Sequence, residues 1–149
     1  EHTKHQHMVI QLYIMELVEF YGEHPTMAIS QEEREFTDYV VDLSQLIGPV
    51  YSKRMFGGFG IFLDGLMFGL IAENVYYLKV DEESREDFEV LGLLPFTYEK
   101  QGKKTKLGYL QAPEDAMEDS EIMREWANKA FGAAIRTAAK KKSKNKKLK

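Results

Sequence analysis

Residues 53–69 read KRMFGGFGIFLDGLMFG, and this stretch carries the strongest structural signal in the chain. Five glycines are interleaved there with four phenylalanines, a mixture that neither an ordinary helix nor a simple amphipathic strand requires. Glycine adopts backbone dihedral angles closed to other residues and lets a neighbouring chain approach closely. The stretch therefore predicts tight turns, a bulge or a binding surface. We expect at least one of Gly57, Gly58 and Gly60 to occupy a positive-φ or sterically crowded position.

Short β-prone runs begin inside this stretch and continue beyond it. The Asp-Gly pair at 64–65 is typical of a two-residue hairpin turn, so the runs on either side of it should pair as antiparallel strands. A second turn signal, Gln-Gly at 101–102, separates two later runs. Five strands are predicted in all, at 58–63, 66–72, 75–80, 94–100 and 104–111.

Helical patterns precede, interrupt and follow these strands. A capping box at Ser30 opens the first helix, a short helix follows Ser84, and a long alanine-rich helix follows Pro113. Met8–Tyr21 has a narrow polar stripe on an otherwise apolar surface and predicts an extra N-terminal helix, packed on the domain or across a homodimer interface. The order α-β3-α-β2-α predicts an α+β fold in which helices cover a five-stranded antiparallel sheet.

Composition limits the class of protein. The 149 residues, 44% of them hydrophobic, suffice for one domain with one core. The absence of cysteine excludes disulfides and thiolate chemistry and favours a cytoplasmic location. No stretch is long and apolar enough for a membrane span. We divide the chain into an N-terminal extension (1–29, with 1–7 as a leader or tag), a domain (30–139) and a disordered basic tail (140–149).

Charge is distributed unevenly along the chain. The net charge is −4, but seven of the twenty basic side chains lie in 140–149, which leaves thirteen against 24 acidic ones in the rest. An acidic body disfavours a nucleic acid lying across the folded surface, whereas the tail could contact phosphates non-specifically. The candidate nucleic-acid contacts are the tail lysines Lys140, Lys141, Lys142, Lys144, Lys146 and Lys147.

Motifs for catalysis, cofactors or metals are not found in the sequence. The glycine-rich stretch leads into a hairpin rather than from a strand into a helix, so it is not a nucleotide-binding loop. All four histidines lie within the first 24 residues, and no serine occupies a Gly-x-Ser-x-Gly turn, which leaves a hydrolase without a visible base or nucleophile. The acidic run at 81–87 fits a helix start better than a calcium loop. We expect no catalysis, no cofactor and no metal site.

The chain resembles the N-terminal domain of the TfoX/Sxy family, the regulators of natural competence, over about residues 34–137. The resemblance rests on five segments: RMFGGFGIF at 54–62, GLMF at 65–68, YLKVD at 77–81, PFTY at 95–98 and EWA at 125–127. The family's commoner Met-Ser-Tyr near the last strand reads Leu-Gly-Tyr at 107–109 here. The resemblance implies a two-layer domain like the secretion-chaperone fold, in agreement with the predicted element order.

The resemblance also implies a function. Full-length regulators of this family act with an activator of the cyclic-AMP receptor type, so our first expectation is a non-catalytic regulatory or protein-interaction module with a transcription factor as partner. The alternatives are a nucleic-acid-binding accessory protein that uses the lysine tail and an enzyme of unrecognised chemistry. The candidates for the family signature and partner surface are Arg54, Met55, Phe56, Gly57, Gly58, Gly60, Lys79, Tyr98 and Tyr109.

Two cations in that set have an alternative interpretation. Arg54 and Lys79 are predicted to lie on an exposed edge beside the glycine turn, where they would contact the partner. Lys79 shares a strand face with Tyr77 and could instead be a solvent-facing side chain whose stem covers apolar surface.

Overall fold

The computed structural model describes residues 30–55 and 57–148 of the chain. Its helices are α1 (Gln31–Leu43), α2 (Arg85–Glu89) and α3 (Ser120–Leu148), and short 3-10 turns cover Gln45–Ile47 and Asp115–Glu118. Its strands are β1 (Tyr51–Met55), β2 (Gly58–Leu63), β3 (Leu66–Ala72), β4 (Val75–Lys79), β5 (Pro95–Lys100) and β6 (Lys103–Gln111). All six strands follow α1, and α2 separates the first four from the last two.

The start of α1 follows directly from its sequence. The hydroxyl of Ser30 accepts a hydrogen bond from the backbone N–H of Glu33 at 3.1 Å, and the Glu33 carboxylate accepts one from the Ser30 N–H at 3.4 Å. These bonds satisfy donors that a helix start leaves free, so the predicted capping box is confirmed. The helix then buries Val40 and Leu43.

The six strands form one antiparallel sheet in the order β1-β2-β3-β4-β6-β5. The predicted α+β class with an antiparallel sheet is confirmed, but the prediction of five strands was wrong. The additional strand is β1, which pairs with β2 at the sheet edge. Its sequence, Tyr-Ser-Lys-Arg-Met, lacks the apolar alternation of a half-buried strand, so the pattern did not predict it. Its charged residues suit an edge strand, where they discourage pairing with a further strand.

A β-bulge interrupts the pairing of β2 with β3. Ile61 is opposite Gly69 and Phe62 is opposite Met67, so Phe68 has no partner of its own. The extra residue places Phe68 on the same side of the sheet as Ile61, where both are fully buried. The bulge anticipated from the glycine-rich stretch therefore adds a large side chain to the core.

Side chains that alternate along the strands form two apolar clusters on opposite faces of the sheet. The helix-side core contains Ile61 and Leu78 together with buried residues from all three helices, including Phe88 and Met123. The opposite cluster contains strand residues only: Phe62, Met67, Leu70, Phe96 and Tyr109, with Met55, Ala72, Tyr77, Tyr98 and Leu107 packed against them. The described helices therefore lie on one face of the sheet.

The C-terminal residues differ from the expected disordered tail. Helix α3 continues through the lysine-rich segment to Leu148. Lysine is a good helix former, and residues 120–139 supply an existing helix that each further residue can extend at little entropic cost. Within the described residues, no helix combines the length and apolar character needed to cross a membrane. The predicted helix at Met8–Tyr21 lies outside the described residues.

Candidate functional site

The glycine turn between β1 and β2 is sterically constrained. Gly57 has a φ of +82°, a conformation that favours glycine. At Gly58, an added Cβ would lie 2.0 Å from the backbone oxygen of Ile71 on β3. At Gly60, it would lie 2.8 Å from Met55 Sδ. The expectation of a positive-φ or crowded position is therefore confirmed, whereas Phe56 lies outside the described residues.

Arg54 and Lys79 do not form one surface. Arg54 is exposed on the edge strand β1, but Lys79 is at the far end of β4 and only 7% exposed. Cross-strand pairing runs from Arg54 through Phe59 and Ile71 to Tyr76, which is three residues before Lys79. The prediction of an exposed Lys79 beside the glycine turn was wrong. The alternating apolar pattern could not show that Lys79 faces a buried cluster.

Lys79 packs instead against an aromatic ring. It pairs with Tyr109 of β6, and its Nζ lies 5.0 Å from the centre of the Tyr109 ring, within the range of a cation–π contact. Burial lowers the pKa of Lys79 to about 8, and the carboxylate of Asp81 opposes that shift. Burial also raises the pKa of the Tyr109 phenol. Tyr109 is 1% exposed, and its hydroxyl has no hydrogen-bond partner in the described part of the chain.

Asp81 joins the end of β4 to α3. Its carboxylate accepts hydrogen bonds from Arg136 Nε at 2.7 Å and Nη2 at 3.1 Å, and from the hydroxyl and backbone N–H of Ser84 at 3.0 and 3.1 Å. The bonds from Arg136 first, and those from Ser84 next, lower the pKa of Asp81 to about 2. Arg136 also contacts Glu83 at 2.8 Å. This arrangement fixes Asp81 in its ionised form.

Lys141 is a buried cation that the sequence interpretation placed in a disordered tail. Only 9% of it is exposed, and its Nζ has no hydrogen-bond partner among residues 30–55 and 57–148. Burial lowers its pKa to about 8, with further lowering by the charges of Lys79 and Lys144. One sequence signal could have revealed it, because Lys141 follows the buried residues Ala127 and Ala134 at intervals of seven.

The other tail lysines face outward where their side chains are described. Lys140, Lys142 and Lys144 are exposed along α3, so the helix presents three cations to solvent and one to the interior. Lys146 and Lys147 lie in the helix, near its end. No group of residues with metal-ligand chemistry occurs in the described ranges.

A short apolar segment between α2 and β5 is the most exposed hydrophobic feature of the residues that the structure describes. Val90 is 71% exposed, Leu91 55% and Leu94 63%. We call these three residues the apolar loop. It leads directly into the edge strand β5, where Tyr98 is partly buried in the opposite cluster. Leu91 lies at helical spacing from the buried Phe88, but such spacing does not reveal whether an apolar residue has a partner.

A comparison with known protein families identifies the family to which this fold belongs. The family model for the TfoX N-terminal domain matches residues 42–134, which is more than half of the chain. The match extends from the end of α1 to the buried alanines of α3 and includes the glycine turn, Lys79, Asp81 and the apolar loop. No curated protein matches the chain. The chain therefore belongs to the TfoX N-terminal domain family.

Proposed function

We propose that the chain is a non-catalytic regulatory module that acts by binding a protein, with a transcription factor as the partner that its family suggests. The observation that carries this proposal is the apolar loop. Three large aliphatic side chains within five residues are each more than half exposed, whereas the other exposed aliphatic side chains of the described residues, Leu46 and Ile135, are each less than half exposed. Adjacent exposed apolar side chains of this kind are typical of protein-binding surfaces.

The position of the loop supports this assignment. Phe88 of α2 is fully buried and packs edge-to-face on Trp126 of α3 with ring centres 4.9 Å apart, which anchors the segment just before the loop. Pro95 pairs with Leu110 of β6 just after it. A loop held at both ends presents its side chains in a defined arrangement, which lowers the entropy lost on binding.

Replacing Val90, Leu91 and Leu94 together by serine should weaken binding to a captured partner at least tenfold. Each side chain buried by a partner contributes on the order of 1 kcal/mol, and serine would remove most of that apolar area. The partner would be captured with the immobilised chain, identified by mass spectrometry, purified and titrated calorimetrically against both proteins. The thermal melting temperature should change little, because exposed substitutions usually alter stability by about 0.5 kcal/mol or less.

Leu46→Ser is the matched control. Leu46 is 48% exposed and lies in the turn before β1, at the opposite edge of the sheet from β5. Its loss should leave the partner affinity unchanged. Full affinity in the triple serine variant, or an equal loss in the Leu46 variant, would reject the apolar loop as the binding surface.

A second candidate function is nucleic-acid binding by the end of α3. The observation that favours it is the exposure of Lys140, Lys142 and Lys144 on an ordered helix, which positions three cations for phosphate contact without an ordering cost. The acidic body opposes binding elsewhere on the surface.

Replacing these three lysines by glutamine should abolish retention of a short duplex DNA at low salt. The wild-type affinity should fall with salt with a logarithmic slope of about −3, since about three phosphates would release counterions. Fluorescence anisotropy of labelled DNA across a salt series measures both the loss of binding in the variant and the salt dependence of the wild-type affinity. Lys103, Lys104 and Lys106 of β6, exposed and equal in charge, provide the control triple. Unchanged binding after the α3 substitutions, or an equal loss in the control triple, would contradict a contact through the helix.

A further inference from the structure

The opposite cluster is buried, although the described helices all lie on the other face of the sheet. Its five buried residues are each less than a tenth exposed, and Tyr109 is the most deeply buried of them at 1%. Every residue of β2 is buried, as are the five central residues of β3. Because side chains of a strand alternate between the two faces, these strands are covered on both sides. An antiparallel sheet with one face in water would alternate apolar with polar residues instead.

The burial of this face does not require a second copy of the chain, since the exposures are those of one chain on its own. The strand side chains shield one another in part, as where Phe96 packs edge-to-face on Tyr77 with ring centres 5.2 Å apart. A single layer of side chains still leaves its outer side toward water, so a further layer is needed to bury it. Residues 1–29 are the longest part of the chain outside the described ranges.

The segment Met8–Tyr21 has the composition of such a layer. All of its residues except Gln11, Glu16 and Glu19 are apolar or aromatic. As the predicted helix it would be about 21 Å long, and six strands spaced by about 4.8 Å span about 24 Å, so it could cross most of the sheet. At helical spacing, the side away from the two acids is formed by Ile10, Ile14 and Leu17.

Helix α1 begins at a place from which this segment can reach the opposite face. Glu32 Oε1 lies 3.5 Å from Asn74 Nδ2, in the turn between β3 and β4. Met55 and Ala72, which pack against the opposite cluster, lie at the same end of the sheet. Residues 22–29 would span up to about 26 Å when extended, which is enough to pass around this end.

We propose that Met8–Tyr21 packs across the opposite cluster of its own chain and forms a third layer of the domain. The sheet then lies between this segment and the three described helices. The segment precedes residue 42, where the family match begins, so the matched strands have an apolar face whose cover comes from outside the match. This contact does not involve the apolar loop, and it closes the opposite face to a partner protein.

Thiol labelling of the full chain tests the proposal, because the chain has no cysteine of its own. Leu70→Cys places a thiol in the opposite cluster, and Ile71→Cys places one in the helix-side core as the matched control. Each is compared with and without Ile14→Asp and Leu17→Asp together. We expect the two charges to release the segment and to speed maleimide labelling at Leu70→Cys at least tenfold, since local opening exposes that thiol. Labelling at Ile71→Cys should change less than twofold.

Photocrosslinking provides a second measurement that leaves the segment in place. A benzophenone amino acid at position 14 of the full chain should crosslink within the same chain to β3, β4 or β6. If the aspartates accelerate labelling equally at both cysteines, the domain has unfolded and the crosslink decides alone. The proposal is overturned if Leu70→Cys labels equally fast with and without the aspartates in the folded chain. Protection that disappears on dilution, or crosslinks that reach α1 or α3 or join two chains, would also overturn it.

Discussion

Gly58→Ala should lower the free energy of unfolding by about 3 kcal/mol, at the upper end of the range for overpacking. The new methyl group would lie 2.0 Å from the backbone oxygen of Ile71, and a backbone atom paired into the sheet cannot rotate away as a side chain can. Strands β2 and β3 would have to separate or twist, which disturbs the bulge beside Phe68. Urea denaturation followed by circular dichroism measures the change, and the melting temperature should fall by about 10 °C.

Alanine substitutions at two other glycines provide comparisons for the stability cost of Gly58→Ala. Gly108→Ala on β6 should cost less than about 1 kcal/mol, because its nearest atom, Val80 O, would lie at an ordinary 3.5 Å. Gly57→Ala should fall between the two, at about 1 kcal/mol, since its φ is positive but no atom lies within 4 Å of the added Cβ. A Gly58 variant as stable as the Gly108 variant would show that the strands accommodate the methyl group.

Asp81→Ala should reduce the free energy of unfolding by about 2 to 3 kcal/mol at neutral pH. The substitution leaves Arg136 and the largely buried Ser84 without their hydrogen-bond acceptor, and hydrogen bonds to charged groups are worth about 1.5 to 3 kcal/mol. The attachment of α3 to the end of β4 would loosen. Urea titrations of both proteins at about pH 7 give the difference directly.

The ion pair of Asp81 with Arg136 also predicts how the free energy of unfolding depends on pH. The folded pKa of Asp81 is about 2, below its ordinary value of 3.8, so the folded state favours the ionised carboxylate. Its contribution to stability is complete above about pH 4 and is lost as the pH falls toward 2. The difference between wild type and Asp81→Ala should therefore shrink across that window.

Glu83→Ala provides the control, because Glu83 contacts the same arginine but is 71% exposed. Its loss should cost less than about 0.5 kcal/mol, as is usual for exposed ion pairs. If Asp81→Ala is no less stable than Glu83→Ala, the bonds to Arg136 and Ser84 contribute little to folding.

The sequence predicted the features that depend on local chemistry. The capping box at Ser30, the Asp-Gly hairpin turn and the five apolar strands follow from hydrogen-bonding groups, turn conformations and alternating apolar residues. The crowding at Gly58 could also be anticipated, because clustered glycines beside large side chains indicate a close approach of backbones. Each of these signals is contained within a few neighbouring residues.

The sequence could not reveal features that depend on distant partners. Strand β1 is stabilised by pairing with β2 and carries too few buried residues to show an apolar pattern of its own. Lys79 was expected at an exposed edge, but its environment is determined by Tyr109, thirty residues away. The exposure of Leu91 depends on which surfaces the other elements leave uncovered. In each case the missing information concerned tertiary contacts.

The strand order has a consequence for how the chain folds during synthesis. Strand β5 is made before β6, which is its only partner among the described strands and which in turn joins the sheet at β4. While the ribosome adds residues 101–111, β5 has no completed β6 to pair with. The helix-side core remains exposed to solvent until α3 emerges from the ribosome. The nascent chain therefore exposes Phe88 and the apolar side of β3 and β4 for several seconds, at the stage when a chaperone would bind it most strongly.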